Sequence, residues 1–268
     1  MQTITTAQLL AEGHTRHEIS RLCKGGALVR LAQGHYLRGQ DALPSGSTIS
    51  TQRARHLALA ATRTHPLALE SAALVHGLPV ATIPDRVQTV THGSGRTRFR
   101  PHEVLHSGLL PDDHLTVIGG ITVTTEARTV VDLARLRGLE AGLIPWDAAK
   151  WAARVDRRLV IFDDACEAVI SSLTGRTGIA RAKAARGLSS AFSESPAETR
   201  SLQQIRALGF AEPVQQYRVV NDGDRLLGFA DFGWPDEGVL GEYDGQDKYT
   251  ALARFRIASG RTRLRPTG

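Results

Sequence analysis

The punctuation of the first forty residues leaves little freedom of fold. Gly13 stops a short apolar stretch, TTAQLLAEG, whose Leu9 and Leu10 are expected to face inward, because a left-handed stop is easiest for glycine. Thr15 and Glu18 then have the spacing of a capping box, and Ile19, Leu22 and Cys23 follow at i, i+3 and i+4 as the buried stripe of a second helix. Gly25 and Gly26 end that helix. Two short apolar-rich runs, Leu28 to Leu31 and His35 to Leu37, are joined at Gln33 and Gly34 as in a hairpin. Helix, turn, helix and hairpin in that order predict a winged helix-turn-helix over residues 1–40.

With Ile19 and Leu22 inward, Arg16, His17, Ser20, Arg21 and Lys24 are left on the outward face of the second helix. Such donors suit phosphates and guanine edges in the major groove, and Arg30 and Arg38 on the hairpin would reach the flanking backbone. The expected partner is double-stranded DNA; the bland alternative is a solvated basic helix face. A net charge of +6 and a pI near 9.8 agree with a polyanionic partner. The charge is segregated: eleven acids face five basic residues between Glu194 and Ala253, whereas the last fifteen residues carry five arginines and no acid.

A chain of 268 residues predicts two or three cores. No run approaches the roughly 18 apolar residues of a membrane span, and the N-terminus lacks a basic start followed by an apolar run, so a cytoplasmic protein without membrane contact is expected. Cys23 and Cys166 have no CxxC partner and read as buried thiols rather than a disulfide or zinc site.

Residues 41–48 read as a linker, with a helix expected from Thr48 to Arg63. A mixed α/β middle region over 49–190 follows. Val87 to Thr91, Glu103 to Leu105 and Leu115 to Ile118 are expected strands, Gly119-Gly120 a hairpin turn, Thr125 to Arg137 a capped helix, with more helices to about Ser190. Arg96, Arg98 and Arg100 form a basic loop that either contacts nucleic acid or is solvated. His102, Glu103 and His106 spell HEVLH, which on a helix would suit zinc, but Pro101 and the Ser107-Gly108 break leave too little chain for a helix. On a strand the two histidines stand more than about ten ångströms apart, at ~3.3 Å per residue, too far to share one ion. No G-x-S-x-G and no phosphate loop is present.

Toward the C-terminus, Ser193 to Phe210 reads as a helix with Pro196 early, Glu198 in its first turn, and Leu202, Ile205 and Leu208 on the buried stripe. Val214 to Val220, a turn at Asn221-Asp222-Gly223-Asp224, and Leu226 to Phe232 predict a hairpin, with a third strand from Val239 to Tyr243. Glu242 and Asp244, two apart, share a face of that strand, and Asp231 lies near the end of the one before it. Converging carboxylates suit a hard cation such as Mg2+, which activates water and steadies a phosphodiester's developing charge. The fold class expected for the whole is therefore multi-domain α+β.

Two resemblances sharpen these readings. Residues 1–40 resemble the N-terminal domain of the AbiEi-type antitoxins of type IV toxin-antitoxin systems. The segments ESAALVHGLPV (Glu70 to Val80) and ITVTTEARTVVDLAR (Ile121 to Arg135) are similar to stretches of actinobacterial proteins that carry that domain. The resemblance implies a regulator that binds its own promoter and opposes a nucleotidyltransferase-like toxin without touching it. The motifs SPAETR, FADFGW and GEYDGQDKY over 193–253 resemble the restriction-endonuclease-like fold in its very-short-patch-repair or DUF559-like form. By that resemblance Asp231 and Glu242 would be metal ligands for magnesium, Glu198 a helix-borne assistant, and Asp244 or Lys248 the group that orients water. The general pattern has a lysine where this chain has Asp244, a change the DUF559-like subgroup shares. The Arg-rich segment 254–268 has too few apolar residues for the helix and strands with which such folds usually continue, so the sequence reads as truncated, its sheet incomplete. The acids are then either a Mg-dependent endonuclease site or a solvated remnant of one.

Overall fold

The computed structural model describes residues 4–32, 34–38, 56–60, 62–221 and 223–243. The linker at 41–48, the beginning of the helix expected from Thr48, Asp222, Asp244, Lys248 and the Arg-rich segment lie outside the described residues. The architecture is α+β, with helices around several small sheets. Among the described residues no helix is long and apolar enough to cross a membrane.

The N-terminal unit runs β1 (Ile4–Thr5), α1 (Thr6–Ala11), α2 (Arg16–Lys24), β2 (Leu28–Ala32) and β3 (His35–Arg38). Both helices start in reciprocal caps. Thr5 and Gln8 close α1, while the Thr15 hydroxyl accepts from the Glu18 amide and Glu18 Oε2 accepts from the Thr15 amide at 2.8 Å. The hairpin β2–β3 is extended by β1, in the order β1-β3-β2, with Ile4 opposite Tyr36. Leu9, Ile19, Leu28 and Tyr36 form the core under this sheet, with Leu22 and Cys23 partly buried beside them. Leu10 does not face inward: it is 40% exposed, because a helix of only six residues can turn one of two consecutive leucines toward so small a core.

In the middle region, α3 (helical residues 56–60) and α4 (Leu69–Val75) precede β4 (Val87–His92), β5 (Arg98–Arg100) and β6 (Glu103–Gly108). The sheet order is β4-β6-β5, with β4 and β6 parallel and β5 antiparallel at the edge. Where a loop was expected, the Arg98–Arg100 segment is therefore a strand. The HEVLH segment is extended: Glu103 begins β6, and His106 Nε2 is 2.8 Å from Gln88 Oε1. β7 (Leu115–Ile118) and β8 (Ile121–Thr124) form the hairpin closed by the two glycines.

Four helices carry the largest core: α5 (Glu126–Arg137), α6 (Leu139–Val155), α7 (Leu159–Ser172) and α8 (Ile179–Leu188), packed around Val130, Leu133, Leu143, Trp146, Cys166 and Ile170. α5 and α6 touch at Gly142, where a Cβ would stand 2.3 Å from Ala134 Cα, so only glycine admits the approach. The buried Arg128 is held by Asp132 (2.7 Å) and His114 (2.7 Å), and Asp132 also accepts from Arg135. Such sharing offsets the cost of burying a cation. Cys166 is fully buried and burial pushes its thiol pKa up, which fits a packing role rather than a nucleophile; neither cysteine is in a disulfide.

The C-terminal unit is α9 (Pro196–Ala207) on a sheet of β9 (Val214–Val220), β10 (Leu226–Trp234) and β11 (Val239–Gly241), ordered β11-β10-β9 and antiparallel throughout. Leu202 and Ile205 of α9 pack on Phe232 and Trp234 of β10. Leu208, assigned to the same stripe by periodicity, is 73% exposed, because α9 ends at Ala207. The third strand stops at Gly241, two residues short of Tyr243.

Candidate functional site

Two places carry chemistry. The first is the outer face of α2. Ile19 is buried, Leu22 and Cys23 are half-buried, and Arg16, His17, Ser20, Arg21 and Lys24 are all exposed. None of these five makes a side-chain hydrogen bond or ion pair with another described residue, apart from the weak attraction of Arg21 for Glu18. Glu18 is itself engaged: hydrogen bonds from Thr15 hold its carboxyl below the usual range, with Arg21 and His14 adding to the effect. The acid therefore serves the helix cap and leaves the cations free. On the hairpin, Arg30 is exposed opposite Tyr36. Arg38 sits at the other end of the hairpin, opposite Leu28, and its Nη2 donates to both Glu12 oxygens (2.7 and 2.8 Å). Both partners are 42% exposed, so this pair competes only modestly with a phosphate.

The second place is the carboxylate region. Phe232 pairs with Gly241, the last residue of β11, so Asp231 and Glu242 flank the end of the β10–β11 ladder. Asp231 Oδ2 accepts from the Tyr243 amide at 2.7 Å, which ties β10 to the segment leaving β11. Glu198 stands at the start of α9, where Oε1 accepts from the Ser195 hydroxyl (2.7 Å) and Oε2 from the Glu194 amide (2.9 Å). Burial raises the Glu198 pKa, and the nearby Asp231 charge raises it further. Both Glu198 oxygens thus bond the helix start, one Asp231 oxygen is bonded by the Tyr243 amide, and Glu242 is exposed. Among the described residues no group of three or more histidines, cysteines or acids is arranged to hold a metal ion. Magnesium takes one or two carboxylates and completes its shell with water, so Asp231 and Glu242 are the residues that could hold it.

Sequence reasoning missed a buried polar network behind this site. Asp147 of α6 is 2% exposed and accepts from the Ser190 amide (2.9 Å), with the Ser193 and Thr199 side chains also bonded to it. Gln215 of β9 donates to the Ser193 hydroxyl (2.9 Å) and accepts from Ser190. One carboxylate therefore joins α6, the 189–193 connection and the first turn of α9, where Thr199 follows Glu198. The available signal was an acid within a helical segment, LIPWDAAKWAA, whose other residues are apolar apart from Lys150. A largely apolar recess of about 440 Å³ is lined by Ile205, Phe210, Trp234, Val239 and Leu240, with Glu237 at its wall. No known protein family matches the chain, and no curated protein matches it either.

Proposed function

We propose that this chain is a DNA-binding regulator of the antitoxin type, contacting duplex DNA through a winged helix-turn-helix whose recognition helix is α2. One observation carries the reading: five donor side chains stand together on the exposed face of a helix held by a reciprocal cap, unpaired with any described acid. A helix of nine residues next to a three-stranded sheet matches what the major groove admits, and the hairpin brings Arg30 to flanking phosphates. The resemblance of residues 1–40 to AbiEi-type antitoxins supports the same reading, and with it a cytoplasmic protein whose toxin, a nucleotidyltransferase-like enzyme, is opposed without contact. The test is selection from a random duplex pool in EDTA, followed by a gel shift on the enriched sequence. One sequence should be enriched, and Arg21→Ala should weaken its binding by about tenfold, the scale of one base contact. Retention that enriches no sequence and does not respond to Arg21→Ala would sink the proposal.

A second reading is favoured by Asp231 and Glu242 flanking the last pair of the β10–β11 ladder, Phe232 and Gly241. In it the C-terminal unit is a restriction-endonuclease-like domain, and the α2 unit delivers a Mg-dependent nuclease to DNA. Asp231 and Glu242 would hold magnesium, Glu198 would assist from the helix, and Asp244 or Lys248 would orient water. Bound there, the ion would supply Lewis acidity toward a phosphodiester and a water of lowered pKa. Asp231 would be kept in place by the Tyr243 amide, and Glu198 by Ser195 and the amide of Glu194.

A further inference from the structure

Among the described residues the sheet edge at β5 is a positive feature that neither reading uses. From Arg86 to His102 the chain carries four arginines and no acid. Arg96, Arg98 and Arg100 are exposed, and Phe99 between the last two is 72% exposed. Arg100 is anchored on Glu103 (2.8 Å), whereas Arg96 and Arg98 make no hydrogen bond or ion pair with any described residue. The approach to the strand is fixed rather than loose: the Gly93 amide donates to the Gly108 carbonyl (3.0 Å) and the Gly95 amide to the Ser107 hydroxyl (3.0 Å). Among the described residues β5 pairs only with β6, so it is the edge strand of its sheet.

Within β5 alternation puts Arg98 and Arg100 on one face, and the Cα of Arg96, just before the strand, is at most about 7 Å from that of Arg98, within reach of the next phosphate along a polynucleotide strand. Phe99 points to the other face, where it opposes Val104 and leaves most of its ring in water. Exposing that ring costs the apolar area that a core position would hide, and a planar apolar surface flanked by guanidiniums suits the face of an unpaired base. A duplex keeps its base faces stacked and offers nothing to such a ring, while an acidic peptide would engage the arginines without it. We infer that the β5 rim is a single-stranded DNA site: Arg96 and Arg98 hold consecutive phosphates, and Phe99 stacks on a base that turns over the rim. The choice of DNA over RNA rests on the proposed function of α2, since one polymer would then engage both units.

The test uses the full chain and fluorescence anisotropy of labelled oligothymidine, with oligouridine, a duplex from the selection and polyglutamate as comparison ligands. Phe99→Ala should weaken oligothymidine binding about tenfold at every salt concentration, and Phe99→Trp should restore it. Arg96→Ala/Arg98→Ala should flatten the salt dependence, lowering its log-log slope by about 1.4, from roughly 0.7 per lost contact on single strands. Arg16→Ala/Arg21→Ala should remove duplex binding and leave oligothymidine binding intact, so a failure of the α2 reading and a failure of the rim site show in different columns. Unchanged oligothymidine affinity in Phe99→Ala overturns the site. Equal binding of oligouridine overturns the choice of DNA, and equal displacement by polyglutamate overturns a nucleic-acid ligand.

Discussion

Asp147 is the residue whose environment departs furthest from that of an ordinary carboxylate in water. Burial raises its pKa to about 6, and this wins over the hydrogen bonds from Ser190, Thr199 and Ser193 and the attraction of Lys150, all of which favour the charged form. The sign follows: a carboxyl with a folded pKa above its unfolded value favours folding when protonated. That contribution is complete below about pH 4 and is lost as pH rises through about 6. A shift of about two units corresponds to roughly 3 kcal/mol across that window. Asp147→Asn keeps an acceptor for the Ser190 amide and cannot ionise. Thermal melts followed by tryptophan fluorescence should show wild type losing stability relative to this variant between about pH 4 and about pH 7. Parallel pH trends would mean that Asp147 does not carry the proton. The site's acids were legible in the sequence as types and spacings, but this one was not, because burial is decided by α8, α9 and the 189–193 connection packing together.

At the scale of elements, what local chemistry specifies was legible. Thr15 and Glu18 announced the start of α2, Gly25 and Gly26 its end, Thr125 the cap of α5, and Gly119-Gly120 the β7–β8 turn. What depends on distant partners was not. β4 and β6 lie parallel because the chain runs out to the edge as β5 and returns as β6 between β4 and β5, and no local pattern records that order. Leu10 and Leu208 obeyed helical period yet ended exposed, since α1 and α9 each stop within a turn of them. Thr15→Ala isolates the local contribution. It should cost the N-terminal unit about 1 kcal/mol, the usual worth of an N-cap, and lower its melting temperature. Well below that temperature the five side chains of α2 remain in place, so duplex affinity should stay within about twofold of wild type. A loss of affinity at low temperature with unchanged melting would mean that Thr15 itself touches DNA.

Across the whole molecule, the basic helix face and the carboxylate pair make opposite demands on a polyanion, and this separates the two functional readings. DNA held at α2 alone makes no use of Asp231 and Glu242, whose charge is screened from any phosphate beyond a Debye length of about 8 Å at physiological salt. DNA drawn onto the carboxylates in the absence of metal is repelled by them, and removing the charges then tightens binding. Asp231→Asn/Glu242→Gln deletes both charges and keeps the side-chain size, including an oxygen at position 231 to accept from the Tyr243 amide. In EDTA, the affinity of this variant for the selected duplex should equal that of wild type within about twofold, because α2 holds the DNA. Supercoiled plasmid should survive wild type in magnesium or manganese. An affinity that rises several-fold on removing the two charges, together with cleavage by wild type and none by the variant, would instead make α2 the delivery arm of a nuclease.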